Sequence, residues 1–245
     1  MRTGRLGLPT KLVKGLGPGL VTGAADDDPS GIATYSHAGA QFGFTMLWTM
    51  VLTFPLMSAI QLVSAHIGRV TGRGLAEAMR DVLGARLTGL LVALLILANT
   101  INIGADIAAM GEAGQLVTGL SAHALTVFFA IGSLLLQLFV PYHRYARILK
   151  WLTLTLFAYV ALIFVLKIDW LQVARGLVVP RIDTADAALM IVAVFGTTIS
   201  PYLFFWQCAQ EVEEIAQHPH GRSLLEAPEK APSEFRRIRF DTIVG

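Results

Sequence analysis

Three consecutive aspartates, Asp26-Asp27-Asp28, stand inside an apolar stretch and run directly into Pro29-Ser30-Gly31. A single aspartate at the centre of a membrane helix costs about 2.5–3.5 kcal/mol on insertion scales. Three of them ahead of a proline predict a broken helix whose carboxylates and freed carbonyls face a polar cavity. Such a group offers hard oxygen ligands that can replace part of a cation's water shell. The alternative is a turn at the membrane surface, with Asp26 or Asp27 capping a helix. A second interruption, Gly196-Thr197-Thr198-Ile199-Ser200-Pro201-Tyr202, cuts the last long apolar stretch. Pro201 lacks an amide proton and crowds the preceding turn, which frees carbonyls near Thr197 and Thr198, while Ser200 adds a hydroxyl. An ordinary proline kink is the plain alternative. Two interrupted helices in one membrane chain predict an ion or substrate site near the bilayer midplane.

Other polar residues within apolar surroundings extend this set. Asp106, in Asn102-Ile103-Gly104-Ala105-Asp106, is a second intramembrane acid, suited to passing protons or setting the potential of a cavity. Its alternative is a carboxylate at a helix end near the outer interface. Gln207 reads as a polar gate or as interhelical glue, and Asn99 and Asn102 as interhelical hydrogen bonders. Glu211, Glu213 and Glu214 read as a solvated acidic helix end, and Glu112 as a solvated loop residue. Cys208 is the lone cysteine, so no internal disulfide forms and it reads as a small packed residue. No Cys/His spacing suggests structural zinc, and no resident cofactor is expected. Of the six histidines, His37 lies nearest the aspartates, and each reads singly as structural or solvated.

The elements that must carry these residues are membrane helices. The chain has 245 residues, 54% of them apolar and 15% charged, against about 25% charged in soluble domains. A net charge of +2 implies no polyanion partner, and aromatics are not interleaved with basic residues, so no nucleic-acid surface is expected. Spans of about 20 residues are needed to cross a hydrocarbon core of about 30 Å. Six segments qualify, near 16–39, 45–67, 87–110, 122–140, 151–168 and 187–207. Residues 1–15 form a basic cytoplasmic N-terminus, 16–208 the six-helix transmembrane domain, and 209–245 a cytoplasmic connector. The connector holds Pro219, Pro228 and Pro232 and closes near Phe240 on what reads as a seventh helix cut short. With the N-terminus in the cytoplasm, sixteen of the 19 Lys and Arg residues fall inside and only Lys167, Arg175 and Arg181 outside. The Met1–Lys14 segment is basic but is not followed by a signal-peptide cleavage pattern.

On its two breaks the chain resembles the NRAMP family of divalent-metal transporters. Where the family carries Asp-Pro-Gly-Asn, this chain has Asp28-Pro29-Ser30-Gly31. Where the family carries Met-Pro-His, it has Ser200-Pro201-Tyr202. The stretches Ala38-Gly39-Ala40-Gln41-Phe42-Gly43 and Val70-Thr71-Gly72-Arg73-Gly74-Leu75-Ala76-Glu77 are also family-like. The resemblance implies an all-α, LeuT-like inverted-repeat fold, with metal held between the first and sixth spans. It carries metal ligation to Asp28, to the carbonyls of Ala25 and Thr197, and in position to Gly31 and Ser200. Asp106 takes the place of an acid linked to proton movement, and Asp27, Gly31, Tyr202 and Gln207 line the site. Three departures stand out: Gly31 has no side chain, Ser200 replaces a thioether, and Tyr202 replaces the histidine of the usual proton route.

Oxygen ligands favour Mg²⁺, Ca²⁺ or Mn²⁺, while thioethers favour softer metals. Magnesium is therefore expected first, partly hydrated, and manganese second. The function so read is transport of divalent cations by alternating access in a bacterial plasma membrane, with proton coupling left open. Helices seven to ten of the resembled fold have no counterpart, so the chain reads as a fragment of a longer frame or as one that associates with a second chain. A truncated, non-transporting remnant or assembly partner is the competing reading. An intramembrane aspartyl hydrolase using Asp28 and Asp106 is the remote one.

Overall fold

The computed structural model describes residues 28–140, 153–217 and 221–244. Its elements are all helical, with no strand among the described residues. They fall into two compact units, one holding residues 28–57, 90–140 and 153–200, the other 58–89, 201–217 and 221–244.

The first unit begins with α1 (Pro29–Phe42). Asp28 is its N-cap: the backbone there is extended, and the carboxylate accepts the Gly31 amide at 2.8 Å. Pro29 fits the first turn, where a missing N–H costs no helical hydrogen bond. Gly43 ends the helix at φ 56°, a conformation that any side chain would strain. A 3₁₀ turn, Gly43–Met46, leads into α2 (Trp48–Thr71). α3 (Leu75–Thr118) bends at Gly84, where φ is 79°. It meets α4 (Ala122–Phe139) through Gly111 and Gly114. A Cβ at Gly111 would collide with the Thr126 side chain and the Ala122 carbonyl, so the small residue is what lets the two backbones approach.

α5 (Phe157–Val165) follows a 3₁₀ turn, and α6 (Trp170–Val178) starts at Asp169, whose carboxylate caps the Leu171 and Gln172 amides. Those amide hydrogen bonds, Gln172 first, hold the Asp169 carboxyl below the usual range. Gly176 of α6 lies against the Phe44 carbonyl. α7 (Ala185–Thr198) is capped by Thr184 and lies along α1. Ala38, Met190 and Val194 are buried between them, with Tyr35, Phe42 and Met50 packed around.

In the second unit, α8 (Pro201–Gln217) packs on α2 at Gly68, where a Cβ would overlap the Cys208 carbonyl. α9 (Ala231–Val244) is held there by ion pairs. Arg69 meets Glu234 at 2.8 Å, and Arg237 meets Glu211 at 2.6 Å and Glu214 at 2.9 Å. The chain ahead of α9 is pinned as well, by the Leu224 and Leu225 amides donating to the carbonyls of Arg69 and Val70.

Among the described residues four helices are long and apolar enough to cross a membrane: Trp48–Thr71, Leu75–Thr118, Ala122–Phe139 and the broken pair Ala185–Gln217. Large apolar side chains such as Ile96 (61%), Phe128 (66%) and Phe164 (84%) are exposed, as expected of surfaces solvated by lipid. Of the six expected spans, the second, third, fourth and sixth match these helices. The expected first and fifth spans are only partly described, and residues 16–27 and 151–152 lie outside the described residues. Three expectations need correction. The seventh helix begins at Ala231 rather than near Phe240, because Pro232 is accommodated in a first turn. Glu112 lies within α3, not in a loop, though it is exposed. Glu211 is fully buried and ion-paired, not solvated.

Candidate functional site

Asp28 is the centre of a polar cluster built on α1 and α3. Its Oδ1 accepts the Ser30 hydroxyl at 2.6 Å and the Gly31 amide at 2.8 Å. Its Oδ2 accepts Nδ2 of Asn102 on α3 at 3.0 Å. The same Nδ2 lies 3.4 Å from Oδ2 of Asp106, one helical turn further along α3. The i, i+4 spacing puts Asn102 and Asp106 on one face of α3, and that face is turned to Asp28. Oδ1 of Asp106 is buried without a hydrogen-bond partner. Two carboxylates therefore converge on one neutral amide. Like charges so placed repel, and a buried unsatisfied oxygen costs about 1–3 kcal/mol. A cation would relieve both.

The second break is held against α1. Tyr35 and Thr198 share a hydrogen bond through their hydroxyls, while Ala38 packs on Val194 and Met190. Residue numbers rise along α1 as they fall along α7, so the two run antiparallel, and the broken end of α7 lies toward the Asp28 end of α1. α7 stops at Ile199, where φ is −99° and ψ 59°. Pro201 then starts α8. In the gap the Ser200 hydroxyl donates to the Thr197 carbonyl at 2.7 Å, and the Thr198 hydroxyl donates to the Val194 carbonyl. Ser200 and Thr198 are both buried.

The structure thus brings Asp28, Gly31 and Asp106 together and sets Thr197 and Ser200 at the break beside α1. Gly31 contributes its amide rather than a side chain. Ala25 and Asp27 lie outside the described residues, as does Asp26. Tyr202 and Gln207 belong to the second unit, where Gln207 is buried with neither amide atom hydrogen-bonded. His37 is exposed. Among the described residues no group of three or more His, Cys, Asp or Glu side chains is arranged to hold a metal, so a cation here must draw on amide, hydroxyl or carbonyl oxygens as well. Two contacts escaped the sequence reading: Asn102 as the partner of Asp28, and Tyr35 as the partner of Thr198. The i, i+4 pairing of Asn102 with Asp106 was the available signal for the first.

A family model described as natural resistance-associated macrophage protein-like (Nramp) matches residues 19–245. The chain is 28% identical over 236 residues to a protein of Acidiphilium cryptum named divalent metal cation transporter MntH, covering 93% of this chain and 51% of that protein. It also resembles the crystal structure of the Eremococcus coleocola manganese transporter, solved with an aromatic bis-isothiourea compound. There the TM-score is 0.75 at 21% identity, over 99% of this chain and 50% of the other. The chain thus spans about half the length of these relatives. The structural likeness establishes the LeuT-like fold.

Proposed function

The chain belongs to the Nramp-like family, and from that premise we propose that it is the cation-coordinating half of a divalent metal transporter. It is an integral, multi-pass membrane protein. The observation that carries the reading is the convergence of Asp28 and Asp106 on the single amide of Asn102, beside a helix break that offers the Thr197 carbonyl and the Ser200 hydroxyl. All of these donors are hard. No thioether or imidazole is among them, so magnesium is the favoured cargo and manganese the next. By the family resemblance, Ala25, Asp27, Tyr202 and Gln207 are further candidates for the site.

Alternating access then moves the cation across a bacterial plasma membrane, N-terminus inside, with the remaining helices supplied by further sequence or by a second chain. Proton coupling would run through Asp106, since Tyr202 stands where the family has histidine. A remnant that binds but does not transport is the second version of this reading. The hydrolase alternative needs two carboxylates sharing one proton. Here an amide donor faces both instead.

The test is isothermal titration of Mg²⁺, Mn²⁺ and Cd²⁺ into the purified chain, with Asp28→Ala as control. Binding of Mg²⁺ or Mn²⁺ that falls at least a hundredfold in the variant is expected. Undiminished affinity in Asp28→Ala would remove the assignment.

A further inference from the structure

Gly31 stands where the resembled pattern has an asparagine, so an amide oxygen is missing from α1. The structure supplies an amide from elsewhere. Asn102 reaches across from α3 and places its terminal group 3.0 Å from Oδ2 of Asp28. We infer that Asn102 is a direct ligand of the transported cation, presenting Oδ1 after its amide turns over. The inference rests on the metal-transport reading above.

The geometry is specific. Turning a terminal amide by half a rotation exchanges nitrogen and oxygen at nearly the same positions. Oδ1 would then stand about 3 Å from Asp28 Oδ2. In an octahedral shell with metal–oxygen distances of about 2.0–2.1 Å, neighbouring ligand oxygens are about 2.8–3.0 Å apart. The pair is therefore set at a spacing that two oxygens sharing a divalent cation adopt, without movement of either backbone.

Energetics give the amide two orientations. With no cation between them, Nδ2 faces the two carboxylates and donates, the orientation the structure adopts. Oδ1 in that position would put three acceptors together. A divalent cation reverses the preference, because it binds oxygen and repels the N–H dipoles. Asp106, whose Oδ1 has no partner, takes up charge balance on the far side or accepts from a metal-bound water.

Three variants of the full 245-residue chain, in lipid nanodiscs, test the assignment. Titration with Mn²⁺ gives affinity, and line broadening of the bound Mn²⁺ electron paramagnetic resonance by ¹⁷O-water counts coordinated waters. Asn102→Leu removes both amide atoms at similar volume. It is expected to weaken Mn²⁺ about tenfold or more and, at saturating metal, to add one coordinated water. Asn102→Asp removes the donor but keeps an oxygen at the same place, so it should bind at least as tightly as the parent with the parent's water count. If Asn102→Leu binds too weakly to count waters, the aspartate variant decides: restored binding supports ligation, and loss in both overturns it. An unchanged water count in Asn102→Leu also overturns it, because a residue that only positions Asp28 does not alter the inner shell. Asp28→Ala separates the two proposals. Metal binding that survives in that variant removes the metal site itself, whereas binding lost there but unaltered in Asn102→Leu removes only the role of Asn102.

Discussion

Two clusters of acids in this molecule differ in what neutralises them. Around Asp28 and Asp106 the described partners are an amide, a serine hydroxyl and a backbone N–H, with no basic side chain among them. Around Glu211 the chain provides its own cations. Arg237 meets Glu211, Glu214 and Glu234, and Arg69 meets Glu234. Both clusters sit in apolar surroundings where charge is costly. The second is charge-paired within the polypeptide and fastens α9 to α2 and α8. The described contacts of the first are neutral donors around two converging carboxylates, an oxygen-rich set that suits a cation from outside. An acidic residue in a membrane chain therefore says little until its partners are known. Sequence alone had assigned solvation to Glu211 and function to Asp106, and only tertiary contacts separate them.

The comparison breaks most visibly at Arg237. Replacing it with methionine leaves Glu211, which is fully buried, without its guanidinium. Removing one partner of a buried pair costs about 3–5 kcal/mol. The expected result is an early thermal transition, read by labelling Cys208, which is buried in the folded chain. The double variant Arg237→Met/Glu211→Leu should recover most of the loss, since matched apolar residues replace buried pairs at little cost. Metal binding at folded temperatures should match the parent in both. If Arg237→Met alone abolished Mg²⁺ binding while the chain stayed folded, the Glu211 cluster would belong to the cation pathway and the contrast would fail.

Asp106→Asn probes the other side of the same contrast. If the carboxylates at Asp28 are frustrated without a cation, removing one charge should stabilise the metal-free chain by about 1 kcal/mol. That corresponds to about 2–4 °C in Tm for a chain of this size. The same substitution should weaken Mg²⁺ about tenfold, because the cation loses a nearby negative charge. Opposite signs in stability and affinity are the signature of a charge kept for function. A loss in both would make Asp106 structural, as Glu211 is.

Much of this was legible before any coordinates. Asp28-Pro29 and Ser200-Pro201 pointed to two breaks because proline removes a donor wherever it sits; the second stands where expected, and at the first a helix starts after Asp28, the residues ahead of it lying outside the described residues. The mean character of the long spans also held, since lipid-facing helices are apolar nearly all round. What escaped was of two kinds. Asn102 faces Asp28 across 74 positions of sequence; its i, i+4 spacing from Asp106 put the two on one helix face, but nothing local says that this face meets Asp28. α6 and α9 are short or polar, so hydropathy passed over them. Pro228 and Pro232 suggested an irregular connector, yet one lies in a 3₁₀ turn and the other in a first helical turn, both of which tolerate it.

The smallest expected effect concerns which cation the open cluster prefers. Ser200 is buried at the break, and its hydroxyl donates to the Thr197 carbonyl. That hydrogen bond engages one lone pair of the carbonyl and leaves a second for a metal. Ser200→Met removes the donor and brings in a thioether, which favours softer ions. Cd²⁺ should then gain severalfold over Mg²⁺ in competition titrations, with the fold undisturbed. The control Ser200→Ala removes the hydroxyl without adding sulfur, so it should weaken every ion modestly and leave the Cd²⁺ to Mg²⁺ ratio as it was. A shift in the ratio with methionine but not alanine places the side chain at the cation. Equal ratios in both would confine Ser200 to capping the break, and hard-ion preference would then rest on Asp28, Asn102 and the backbone alone.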